Sequence, residues 1–173
     1  MANATMLDTM MQNSMLRMLT AEYKAAPDLI LTDADKQELR VFILRQYREI
    51  LNSGIHVVLC DADPYKDHDE MFWDVVNNQQ LKVFTGGTPS PILGHNLNVM
   101  FRAVHDFHHV KCGGDFTLKG EIKAFRHIAS LLENVTLRKM MFSEIVLQAA
   151  TSIKTGSFPE QRIVDSELIH EFA

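Results

Sequence analysis

Apolar side chains recur at three- and four-residue steps over most of the chain, and that period is helical. Residues 4–24 carry Met6, Leu7, Met10, Met11, Met15, Met18 and Leu19 in this rhythm, and Pro27 breaks it. The stripe reads as a packing face, or as an adaptable interface, because methionine surfaces repack readily. Thr32 followed by Asp33 and Asp35 is a helix start, with a hydroxyl for the first-turn amides and acids at the positive end. That helix runs to Asn52 on Leu39, Phe42, Ile43, Tyr47, Ile50 and Leu51, and Gly54 stops it. The pattern then changes. Residues 55–60 and 81–85 are short runs rich in β-branched residues and read as two strands. Between them, Asp67 and Glu70 open a helix through Asn77, and Gly86, Gly87 and Thr88 begin an irregular turn. Helical periodicity returns over 95–111, 118–133 and 136–154, with a last helix expected from Pro159. Two short strands cannot make a sizeable sheet. The expected fold is therefore mainly α: a bundle of five or six helices with a small two-stranded β element. It forms one domain over 1–173, divided into an N-terminal helical pair (1–52), a β-containing insertion (55–85) and a helical core (95–170).

Composition narrows the partners. The chain has 173 residues, 46% of them apolar, enough for one buried core. Its formal charge is −5, so a duplex-binding surface is not favoured. Cys60 and Cys112 are far apart and in no C-x-x-C pattern, which disfavours a disulfide scaffold and suits a reducing compartment. No apolar run approaches the roughly 18 residues of a membrane span, and no signal peptide is evident. A cytoplasmic protein is expected, with homo-oligomerisation through the Met-rich first helix conceivable.

The chemistry concentrates in the last three helices. His105 and His109 are one helical turn apart, the spacing by which two imidazoles bind one metal ion. Glu121 shares an apolar stripe with Ala124, Phe125, Ile128 and Leu132, and Glu144 and Gln148 interrupt the apolar arc of the next helix. Carboxylates are rarely buried without a partner, and a cation is one such partner. His105, His109 and Glu121 are the expected ligands of a divalent ion (zinc, iron or manganese) in a metal-dependent hydrolase or oxygenase acting on a small molecule. Glu144 is the expected general base or a further ligand. Asp106 is a catalytic carboxylate or the orienter of an imidazole, and Gln148 and Arg102 orient ligands or substrate. His127 lies about 120° around its helix from Glu121, away from the site. His108 is a packed histidine or one that supports a ligand from behind, and His95 is an exposed one.

Two alternatives use the same residues. Arg102, Arg126 and Arg138 could neutralise the inward acids in a buried ion-pair network, leaving a non-catalytic accessory or interaction protein. His68, then His105-Asp106, then Asp165 also follow the ligand order of HD-type phosphohydrolases. The run Phe101-Arg102-Ala103-Val104-His105-Asp106 followed by His109, then Gly120-Glu121, Glu144-x-x-x-Gln148 and Phe158-Pro159-Glu160-Gln161, resembles a family of phage-encoded proteins with no known activity. The turn Asp63-Pro64-Tyr65, with Met71, Asp74-Val75 and Leu81-Lys82-Val83, fits the same general pattern, and the likeness spans residues 55–165. Members usually carry Gly where this chain has His108. The resemblance implies a viral or environmental origin and supports grouping His105, Asp106, His109 and Glu121; it implies no reaction.

Overall fold

The computed structural model describes residues 2–87 and 90–173, with side chains from residue 8 onward. The side chains of Met6 and Leu7 of the methionine stripe, and Thr88 of the irregular turn, lie outside what is described. Helix α1 (Ala2–Ala25) packs through Leu16, Leu19, Tyr23 and, just past its end, Ala26. Those residues recur at steps of three and four, and the methionines fall beside that stripe. Met10 and Met11 are 59% and 60% exposed, Met18 is exposed, and Met15 packs only at the margin of the core. The methionine face is thus not the packing face. The buried stripe instead follows Tyr23, whose hydroxyl donates to the carbonyls of Glu160 (3.0 Å) or Arg162 (3.1 Å).

Helix α2 (Asp33–Asn52) begins as its sequence predicts. Thr32 accepts from the Asp35 amide, and the Asp35 carboxylate accepts from the Thr32 amide in return. Strand β1 (His56–Cys60), helix α3 (His68–Asn78) and strand β2 (Gln80–Phe84) follow. The strands are parallel, in the register His56↔Gln80 to Cys60↔Phe84. Parallel neighbours need a crossover, and α3 is that crossover. The unit packs on α4 (Gly94–Cys112) through a second core of Met71, Val75, Leu81, Val83, Val104 and Phe107.

Helix α5 (Leu118–Ala129) returns along α4. Then comes one continuous rod: α6 (Val135–Met141), a π-helical turn (Phe142–Leu147) and α7 (Gln148–Thr155). It lies in the main core, with Met140, Met141, Phe142 and Val146 fully buried. The helix expected from Pro159 does not form. The Leu29 amide donates to the Ile163 carbonyl (2.9 Å) and the Asp165 amide to that of Pro27 (2.8 Å). These bonds tie residues 156–168 as an extended strap across the α1–α2 link, and only α8 (Ile169–Phe172) is helical beyond it. The mainly α fold with a small two-stranded element is as expected. Among the described residues, no helix is long and apolar enough to cross a membrane.

Candidate metal centre

Two glycines set the junction between α4 and α5. A Cβ on Gly120 would lie 1.8 Å from the Asp115 carbonyl oxygen, and one on Gly114 would lie 2.7 Å from the Gly120 carbonyl oxygen. Any side chain at either position would push the helices apart. With both glycines in place, the first turn of α5 sits against the last turn of α4, and Glu121 reaches His105 and His109.

The three donor atoms form a nearly equilateral triangle. His105 Nε2 and His109 Nε2 are 3.0 Å apart, and Glu121 Oε2 lies 3.1 Å from the first and 3.2 Å from the second. An ion about 2.1 Å from each of three ligands sets edges of about 3.0 Å for right-angled ligands and about 3.4 Å for tetrahedral ones. The observed edges fall in that window. With Glu121 ionised, protons alone cannot satisfy the triangle. One proton on a histidine Nε2 leaves an edge with lone pair facing lone pair. Protons on both Nε2 atoms leave two donors facing each other 3.0 Å apart. A cation at the centre satisfies all three edges.

The fully buried His109 is prepared for this role. Its Nδ1 lies 3.0 Å from the Gly114 carbonyl, which can only accept, so Nδ1 carries the proton. In the neutral ring Nε2 is then a lone pair facing the triangle, with the ring oriented from behind as in metal-bound histidines. Burial works to lower the pKa of His109, and Glu121 reverses it to a net rise. Burial likewise works to raise Glu121, but His105 and His109 hold it at about 2. The two imidazoles thus favour the ionised form of the Glu121 carboxylate.

The triangle borders a cavity of about 550 Å³. Arg102, Asp106, Glu144 and Gln148, all singled out by spacing, line it together with His105 and Glu121. His109 does not line it. Burial pushes the Asp106 carboxyl up to about 6, against the pull of His105 and His109. Asp106 makes no hydrogen bond or ion pair among the described residues. Glu144 sits in the π-helical turn, a local widening often found at functional sites. Burial pushes it to about 7, although Gln161 Nε2 lies 3.2 and 3.1 Å from its two oxygens and Ser90 also stabilises its charge. Glu144 is not brought to the triangle, so its expected role as a further ligand is not realised. Among the described residues, His105, His109 and Glu121 are the only group of three or more side chains placed to share a metal ion.

The ion-pair network does not form. Arg102 Nη1 donates to the carbonyls of Phe84 (2.9 Å) and Gly86 (2.6 Å). Arg126 donates to that of Phe172 and Arg138 to that of Leu132, each at 2.6 Å. None makes an ion pair among the described residues. Nor are the HD-type residues assembled. Asp165 is bound by Lys139 at 2.6 Å, and His68 is held off His109 by the ring of Phe116. The sequence reading gave no role to two cavity residues, Asn98 and Gln161, or to Ser90 beside Glu144. Asn98 is buried one turn before Phe101, and the interrupted apolar stripe that exposed Glu121 would have found it. Gln161 and Ser90 lie in irregular segments, where no period points inward.

No protein-family model matches the chain, and no curated protein or solved structure matches it.

Proposed function

We propose that the chain is a metal-dependent enzyme of hydrolase type, holding one divalent cation on His105, His109 and Glu121. The observation that carries this reading is the donor triangle, which protons cannot satisfy with Glu121 ionised, and in which Gly114 holds His109 in the ligating tautomer. A cation bound there supplies Lewis-acid activation of water or of a substrate oxygen. The chain supplies the rest. Glu144 faces the same cavity and titrates near neutrality, which suits a group that takes a proton from water and returns it to a leaving group. Asp106, one residue from His105 and without a partner among the described residues, is the nearer carboxylate for orienting that water. Two histidines and one carboxylate on a triangular face also suit iron(II) oxygen chemistry, so the identity of the metal decides between the two classes.

The test is elemental analysis of purified protein beside a His105→Ala, His109→Ala double variant. The expected result is close to one zinc, iron or manganese per chain in the wild type and none in the variant. Chelator should then lower the melting temperature of the wild type only. Metal-free wild type whose melting ignores both chelator and added zinc would end the reading.

A further inference from the structure

Arg102 is the one Lys or Arg lining the cavity, and it has no carboxylate within ion-pairing distance among the described residues. Its geometry is fixed from one end. Nη1 is held between the carbonyls of Phe84 and Gly86, and the guanidinium lies 5.7 Å above the Phe84 ring. A guanidinium has five N–H donors in a planar fork. Nη1 accounts for two of them, and the donors of Nε and Nη2 make no hydrogen bond among the described residues. Any side chain at Gly87 (φ +82°) would begin 3.3 Å from Nη2, and glycine keeps that nitrogen uncovered.

A cation drawn partly out of water needs a counter-charge. No acid of the cavity pairs with Arg102 among the described residues: Glu121 faces the histidines, Glu144 is held by Gln161, and Asp63 and Asp106 make no hydrogen bond to it, although the charge of Arg102 is felt at Asp106 and Glu144. An oxyanion brought by a ligand does fit, because Nε and Nη2 present parallel donors matched to two oxygens of a carboxylate or phosphoryl group. His105 and Asp106 are three and four residues further along α4, on the same face, so such an anion would sit about one helical turn from the triangle.

We propose that Arg102 is a binding residue for an oxyanion on the substrate, a carboxylate or phosphate carried about one turn of helix from the bond that reacts. This rests on the metal-site reading for the reaction, but not for the binding. It names the substrate class as a small organic anion. The aromatic rings of Phe101 and Phe158 along the walls suit an apolar body on that anion.

The experiment titrates benzoate, phenyl phosphate and neutral benzamide into the wild-type chain and into Arg102→Met and Arg102→Lys, with zinc, iron and manganese content measured on every sample. The expected result is binding of at least one anion and weaker binding of benzamide. Anion affinity should fall about 10- to 100-fold in Arg102→Met, and less in Arg102→Lys, at unchanged metal content. Whichever of benzoate and phenyl phosphate shows the larger dependence on Arg102 identifies the oxyanion. Arg102 also ties down the end of β2, so a wild-type measurement guards against a misfolded variant. The Arg102 Nε–H resonance should shift with the favoured anion and stay still with benzamide. An Nε–H signal that neither anion moves, or anions that bind no better than benzamide, overturns the assignment at any metal content. Wild type free of zinc, iron and manganese whose Nε–H still responds to the anion would remove the metal reading and leave this one in place.

Discussion

Two histidine pairs meet on α4 and α5, and they are built for opposite ends. His105 and His109 turn their Nε2 atoms to one point, where a carboxylate completes a triangle. His108 lies about 100° around α4 from His109. It is set in a line: its Nε2 is 3.1 Å from Gln46 Oε1, and its Nδ1 is 2.6 Å from His127 Nδ1. The Gln46 oxygen can only accept, so His108 Nε2 donates, and His108 Nδ1 receives the proton of His127. Every donor has an acceptor and nothing is left over. Burial, aided by His127 and Lys111, pushes His108 down to about 3 and keeps it neutral. The comparison teaches that histidine count and spacing do not by themselves give a donor set that could hold a metal ion; the nitrogens must also converge with a carboxylate on one point, as they do only in the first pair.

The largest expected effect comes from turning the first pair into the second kind. Glu121→Gln keeps the shape and replaces the carboxylate by an amide. Zinc affinity, read by competition with a chromophoric chelator, should fall by more than the roughly 10- to 100-fold that losing an orienting partner costs. Unchanged affinity would remove Glu121 from the ligand set.

Glu144 sharpens the contrast from the carboxylate side, since it is met by an amide rather than by imidazoles. Its folded pKa is raised to about 7, so the folded state holds that proton more tightly than the unfolded chain does. The stability this confers is full below the ordinary value of 4.5 and is lost as pH rises through 7. Glu144→Gln escapes the loss. Urea unfolding should find the variant more stable than wild type by about 3 kcal/mol at pH 8, and the two should converge near pH 4. Parallel stability curves would show that Glu144 is not strained by burial.

Much of this contrast was legible beforehand, for a physical reason. Helix register is a steady 100° or so per residue, so a polar side chain on an apolar stripe must point inward, as Glu121 and Glu144 do. Short connections made α4, α5 and the α6–α7 rod neighbours, and the one-turn spacing of His105 and His109 did the rest. The pairing of His108 with His127 was not legible, because it depends on Gln46 from a helix 62 residues away. Gln161 was hidden for a related reason. The strap that carries it is held by Tyr23 and the α1–α2 link, so its bonds are nonlocal and leave no period. The π-helical turn left no mark either, because one extra residue in a turn does not disturb an arc that is apolar nearly all round.

Smaller effects belong to the second pair. His127→Ala leaves the buried His108 Nδ1 without its donor and should cost about 1 kcal/mol of stability, because His127 is partly exposed and water can replace it. Metal content should not change. A lost metal would mean that the two pairs are coupled through α4.

Gln46→Glu is the finest test, and its expected outcome is a null. The substitution gives the second pair the carboxylate that it lacks, so that two histidines and one acid are present in both places. If composition made the site, the variant would bind a second zinc. The geometry forbids it. The introduced carboxylate would face His108 Nε2, His127 faces His108 Nδ1, and the two nitrogens of one imidazole point to opposite sides of its ring. No single point lies within about 2.1 Å of all three ligands. In zinc-loaded protein the variant should hold one zinc per chain, matching the single cation proposed for the wild type. Two per chain would show that an acid near a pair of histidines suffices, and the triangle would lose its claim to be the distinguishing feature.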